Sequence, residues 1–214
     1  MTGGGKVAQR LRLALLAALC AALAPPGAAS ALGDAISLYH QKEWPKARAV
    51  LAPLVAADPS NAAATYFLGM TLLKEGGQTA LDSAHDMLAR ATRLDPQNES
   101  YLADYAGVCL LLADRDASLS YAIEGRDAMA RAIMLDPADL EAREGLMEFY
   151  AKAPWPIGDA DKAVLQASEI GRRDPRRGCA AYGLIAGIFE KTGRKERALA
   201  ARQAAQRLAP ELKP

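Results

Sequence analysis

Apolar residues recur along this chain three or four positions apart, in runs separated by short polar breaks. That spacing puts them on one face of an α-helix, so the pattern predicts a succession of amphipathic helices and an all-α fold. Ala35, Leu38 and Tyr39 mark a first helix, and Ala47, Leu51 and Leu54 a second. Between them lies a turn over 41–45, with Pro45 placed where a helix begins. Tyr66, Leu68, Gly69 and Leu72 pair in the same way with Ala84, Leu88 and Ala91, and Gly76-Gly77 separates the two runs. A third pair carries Tyr101, Leu102, Tyr105, Ala106 and Leu110, then Met129, Ala132 and Ile133. A fourth carries Leu146, Met147, Phe149 and Tyr150, then a helix that Asp159 would cap and Ala163 would open. The fifth carries Tyr182, Ile185, Ala186 and Phe189, a turn at Thr192-Gly193, then Ala198 and Ala205.

One punctuation mark closes each pair. It reads Asp58-Pro59, Asp95-Pro96, Asp136-Pro137 and Asp174-Pro175, and it returns without its acid as Ala209-Pro210. The prolines are 37, 41, 38 and 35 residues apart. Proline has no N–H and drives the residue before it away from the helical region, so each mark ends one helix and lets another start. A period in this range with two helices per unit predicts a helical solenoid. Two stretches depart from the period. The longest spacing puts extra residues around Ala113 to Tyr121, as an extended inter-helix loop or a lengthened second helix. The fourth pair holds a stiff Pro154-Trp155-Pro156 loop running to Asp159.

The spacing resembles the tetratricopeptide repeat, whose first helix carries an aromatic-x2-Leu-Gly-x2-Tyr pattern and whose second carries Ala-x3-Phe-x2-Ala before a proline. Leu68-Gly69 matches the Leu-Gly pair, and Ala84, Leu88, Ala91 and Pro96 match the second-helix set with Leu88 in place of Phe. Thr65 replaces the opening aromatic and Leu72 the tyrosine. The likeness covers residues 33–210, and the repeat domain is expected over 32–214. Residues 145–170 look like a run found in a group of exported bacterial tetratricopeptide proteins without a defined activity. The resemblance implies a right-handed superhelical solenoid of about five helix-turn-helix repeats, with the first helices lining a concave groove. Counted from each proline, the family's groove positions fall on Tyr39, Tyr66, Met70, Lys74, Glu148, Lys152 and Glu190. The family's carboxylate clamp is not evident in this set, so binding of chaperone tails is not implied.

Residues 1–31 differ from the rest. Lys6, Arg10 and Arg12 precede the uninterrupted apolar run Leu13 to Leu23, Pro25-Pro26-Gly27 breaks it, and Ala29-Ser30-Ala31 is a small-x-small cleavage site. This is the order of a secretory signal peptide, with a retained signal-anchor as the alternative. The run is short for a bilayer span, which takes about 20 residues. Leu19 before Cys20 argues against lipidation. The expected location is the periplasm, with no membrane span after cleavage; Asn98-Glu99-Ser100 is a glycosylation sequon only in a eukaryotic source.

Charge and composition narrow the function. Lys+Arg number 26 and Asp+Glu 25, and apolar residues make up 51% with aromatics at 6%. No basic excess points to nucleic acid. Arg194, Lys195, Arg197, Arg202 and Arg207 are expected on a solvated outer face of the last helix, which has no neighbour to cover it. Cys20, Cys109 and Cys179 form no metal or redox motif, and Cys109 and Cys179, two units apart, are not expected to pair. His40 and His85 sit in different units, and no metalloprotease, nucleophile-elbow or phosphate-loop motif occurs. The expectation is a non-enzymatic scaffold of the cell envelope that binds a protein or peptide and takes no cofactor or metal. The alternative is a structural or assembly subunit of a larger envelope complex.

Overall fold

The computed structural model describes residues 28–208 apart from 78 and 155. Most of the expected signal segment, Cys20, Trp155 and the Ala209-Pro210 mark therefore lie outside the described residues. Ten α-helices and no strand occur among the described residues. They are α1 (Ala28–His40), α2 (Trp44–Ala57), α3 (Ala62–Glu75), α4 (Ala80–Leu94), α5 (Glu99–Asp116), α6 (Leu119–Leu135), α7 (Leu140–Lys152), α8 (Ala160–Arg173), α9 (Pro175–Lys191) and α10 (Lys195–Leu208). Consecutive helices form five pairs, as the periodicity predicts. No helix among the described residues is long and apolar enough to cross a membrane.

The marks work as four-residue devices rather than as prolines alone. In the first, the Asp58 carboxylate accepts from the backbone N–H and hydroxyl of Ser60, which holds its pKa below the usual carboxylate range. Three residues on, Asn61 accepts from the Ala64 N–H and caps α3. Asn98 caps α5 in the same way through the Tyr101 N–H. Asp139 caps α7 through the N–H groups of Glu141 and Ala142. The pattern is therefore Asp-Pro-x-Asn/Asp: the first residue stops one helix and the last satisfies the orphan donors of the next. The fourth mark lacks the second capping residue, with Arg177 in its place. There Asp174 ends α8 and itself caps α9, with Pro175 at the first helical position, so a single residue links two helices.

The chain divides into two compact units, the first ending at Arg90 and the second starting at Ala91. In the first unit, Ala35, Ala47, Leu51, Val55, Ala64 and Leu68 form the core of α1–α3. Gly69 lets α4 approach α3: a Cβ there would lie 2.9 Å from that of Met87. The second unit has two cores. Leu102, Ala106, Met129, Ala132 and Leu146 fill the space among α5, α6 and α7. Met147, Ala167, Ile170, Ile185 and Phe189 fill that among α7–α10.

The excess residues of the third pair are absorbed by helix. α5 runs for 18 residues and α6 for 17, with only Ala117 and Ser118 between them. The extended-loop expectation is thus corrected, and lengthening affects the first helix as well as the second. Ala117 makes this tight turn with φ 50°, in the left-handed region, while Ser118 caps α6. Lys195, Arg197, Arg202 and Arg207 of α10 are exposed, as expected, whereas Arg194, just before the helix, is half-buried. Arg197 pairs with Asp161, Arg202 with Glu190, and half-buried Arg194 donates to the Ala151 carbonyl and stacks on Phe189.

Candidate functional site

The seven expected groove positions divide between the units. Tyr39, Tyr66, Met70 and Lys74 belong to the first, on α1 and α3. Tyr39 packs edge-on against His40 and Phe67, with ring centroids 5.4 and 5.5 Å away, and Tyr66 meets Phe67 at 5.0 Å. Met70 is buried and Lys74 exposed. The aromatic row gives His40 packing partners in Tyr39 and Phe67. In the second unit, Glu148 and Lys152 on α7 form an ion pair at 3.2 Å, while Glu190 near the end of α9 pairs with Arg202.

Glu148 and Lys152 also line a cleft of about 590 Å³. Its other walls are the C-terminal turns of α5, the start of α6 and the 153–157 loop after α7. The two stretches that break the repeat period therefore meet at one place. Lengthening of α5 brings Leu111 and Asp114 to the cleft, and the tight Ala117-Ser118 turn adds Leu119. Leu111 is 53% exposed and Leu119 54%, although most large apolar side chains of this unit are buried or half-buried. Phe149, Pro154, Pro156 and Ile157 complete an apolar lining.

The loop is held by its own backbone. The N–H groups of Ile157 and Gly158 donate to the Pro154 carbonyl at 3.1 and 2.8 Å, and Asp159 N–H donates to the Tyr150 carbonyl. A Cβ on Gly158 would run into the Ala153 carbonyl, so the turn requires glycine. Asp159 then caps α8, as expected, through Asp161 and Lys162 N–H. A second cleft, about 470 Å³, lies between α7 and α9 and shares Gly145 and Glu148 with the first. Leu184 is exposed on its α9 side.

Among the described residues, the ionisable groups lining the larger cleft are Asp114, Glu148 and Lys152. Cys109, on the helix α5 that forms one wall, is fully buried. Burial pushes its thiol up to about 12, so it stays protonated. Tyr105 beside it donates to the Glu124 carboxylate at 2.9 Å, and burial raises its phenol as well. A cleft with an apolar floor and few charges is suited to holding side chains. Leu111, Leu119 and Asp114 escaped the reading of the sequence because the family's slots are counted at the standard period, which the third pair exceeds. The excess itself was the signal.

No protein-family model and no curated protein matches the sequence. Solved structures do. A MamA protein aligns with a TM-score of 0.70 at 18% identity, over 88% of this chain and 94% of that one. YrrB, described as a tetratricopeptide protein with an unusual peptide-binding site, aligns at 0.68 and 22%, over 85% and 86%. TTC0263, a thermophilic tetratricopeptide protein of Thermus thermophilus, aligns at 0.53 and 18%, over 86% and 92%. At these identities the likeness is one of fold, and that fold, five helix pairs between residues 28 and 208, is the tetratricopeptide-repeat fold.

Proposed function

We propose that this chain is a non-enzymatic scaffold of the cell envelope that binds a protein or peptide partner. The observation that carries the reading is the apolar cleft of the second unit, with its two half-exposed leucines. A repeat fold otherwise complete in its cores has no packing use for them, whereas a partner does. Peptide binding in YrrB gives a precedent on the same fold. Export is supported by the cationic, apolar and small-residue order of residues 1–31. Cleavage after Ala31 would remove the first four residues of α1.

In vivo cross-linking with photo-reactive residues placed singly over the helical surface tests the binding reading. A discrete stoichiometric adduct is the expected result, and its absence at every position would overturn the reading. Mass spectrometry of the mature N-terminus tests export, with Leu32 as the expected first residue. A second reading, a structural or assembly subunit, is favoured by apolar exposure elsewhere in the second unit: Met134 on α6 is 80% exposed, and Leu165 on α8 and Leu199 on α10 are also exposed. Light scattering after size exclusion separates the readings: a stable homo-oligomer supports the second, a monomer that cross-links to a different chain the first.

A further inference from the structure

We propose that the cleft between the α5–α6 turn and the 153–157 loop is a docking site for a short segment of a protein partner, one whose large apolar side chains flank a lysine or arginine facing Asp114. This rests on the binding reading above and specifies its ligand. Three features of the cleft converge on that chemistry.

The first is apolar demand. Leu111 and Leu119 come from different helices, yet both line the same cavity and both are about half exposed. Phe149 and Ile157 extend the same surface. The volume, about 590 Å³, falls within the range of sites that enclose a ligand, roughly 300–1,000 Å³. It accommodates a few side chains rather than a whole domain.

The second is charge. Glu148 and Lys152 neutralise each other at 3.2 Å. Asp114 is exposed and makes no ion pair among the described residues, which leaves one uncompensated carboxylate on the lining. The helix ends add to it. α5 and α7 both finish at the cleft, and a helix C-terminus carries partial negative charge; only α6 begins there. The cleft is thus complementary to a cation set among apolar groups, and it repels an acidic segment.

The third is preorganisation. The described residues of the loop wall are held by Pro154 and Pro156, by Gly158 in a position closed to any Cβ, and by three backbone hydrogen bonds. The opposite wall is a two-residue turn between capped helices. A site already in shape loses little freedom when a ligand arrives, which favours a short linear segment. The segment lies in another protein. A second copy of this chain, or its own cationic and apolar leader, are the occupants the experiment distinguishes.

A library of random nonapeptides displayed on phage is selected against the full chain, with counter-selection against Leu111→Glu and Leu119→Glu. Both leucines are exposed, and helicity by circular dichroism confirms that the variants fold. The expected pool is enriched in Leu, Ile, Phe or Met together with Lys or Arg, and depleted in Asp and Glu. A selected peptide should bind at least tenfold more weakly to either glutamate variant. Asp114→Lys should reverse the preference between that peptide and a version with glutamate in place of its cation. The proposal fails if the selected peptides do not distinguish the wild type from the two leucine variants, if the pool has no cationic bias, or if Asp114→Lys leaves the preference unchanged. It also fails if Leu111→Glu or Leu119→Glu dissociates a homodimer, or if peptides bind only after residues 1–31 are removed. A partner that cross-links elsewhere and is insensitive to all three variants would leave the scaffold reading standing without this site.

Discussion

Arg143 is the charged side chain buried among the described residues of the second unit, 7% exposed on α7. Its Nε and Nη2 both donate to the Pro137 carbonyl, at 3.1 and 3.0 Å, and its Nη1 donates to the Gln166 side-chain oxygen on α8 at 3.0 Å. One guanidinium thus ties the third mark to the helix of the following pair. In the first unit Arg90 reaches the Pro59 carbonyl of the first mark in a related way. Arg143→Ala should cost about 2 kcal/mol, since a part-buried carbonyl and an amide lose charged donors, and should lower Tm by roughly 4–8 °C. Arg143→Lys should recover little of it, because an ammonium cannot span both acceptors as the planar fork does. Thermal melts of the three proteins check this. Cys109 gives a pH prediction at the same scale. Burial raises its thiol from 9.0 to about 12, so the folded chain holds the proton that the unfolded chain releases. The stabilisation is complete below pH 9 and is lost as pH rises towards 12. Melting temperature should fall over that window, and Cys109→Ala should flatten the fall relative to wild type.

At the scale of elements, the helix pairs are only as close as their small residues allow. Because Asp174 alone links α8 to α9, the last turn of one lies on the first turn of the other. A Cβ on Gly178 would collide with the Gly171 backbone, its nitrogen at 2.8 Å among other atoms. A Cβ on Gly171 meets first the Leu208 methyl, at 2.7 Å, which can swing aside. Gly178→Ala should therefore destabilise by about 2–3 kcal/mol, while Gly171→Ala should cost under about 1 kcal/mol. Urea unfolding of the two variants checks the order. The pairs themselves were legible in the sequence: Ala84, Leu88 and Ala91 are all buried, as their spacing predicts. What was not legible was how the extra residues are spent. Composition around Ala113 to Tyr121 suits a loop or a helix equally, and the outcome was decided by the left-handed Ala117 turn and the Ser118 cap. Glu148 and Lys152, two of the positions counted from the family's slots, line the cleft. Leu111 and Leu119 were not among those positions, because a helix lengthened by one turn carries its apolar residues past the standard slots.

For the molecule as a whole, the cores follow the chain: each is filled by helices adjacent in sequence. Stability in such a chain is a sum of repeat terms and nearest-neighbour terms, so damage stays local. Two glycines provide matched probes, since Gly69 is pressed against α4 in the first unit and Gly178 against α8 in the second. Hydrogen exchange read by mass spectrometry should show Gly178→Ala raising exchange in α8, α9 and α10 while α1 and α2 keep wild-type protection. Gly69→Ala should do the converse, raising exchange in α3 and sparing α9 and α10. A uniform rise across all helices in either variant would mean that the chain opens as one cooperative body. The local outcome bears on function as well. The cleft is walled by α5, α6 and α7, which are packed around the core of Leu102, Met129 and Leu146. Under nearest-neighbour behaviour that core protects the cleft from fraying at either end, so Gly69→Ala should leave ligand affinity at the cleft unchanged even where it lowers overall stability.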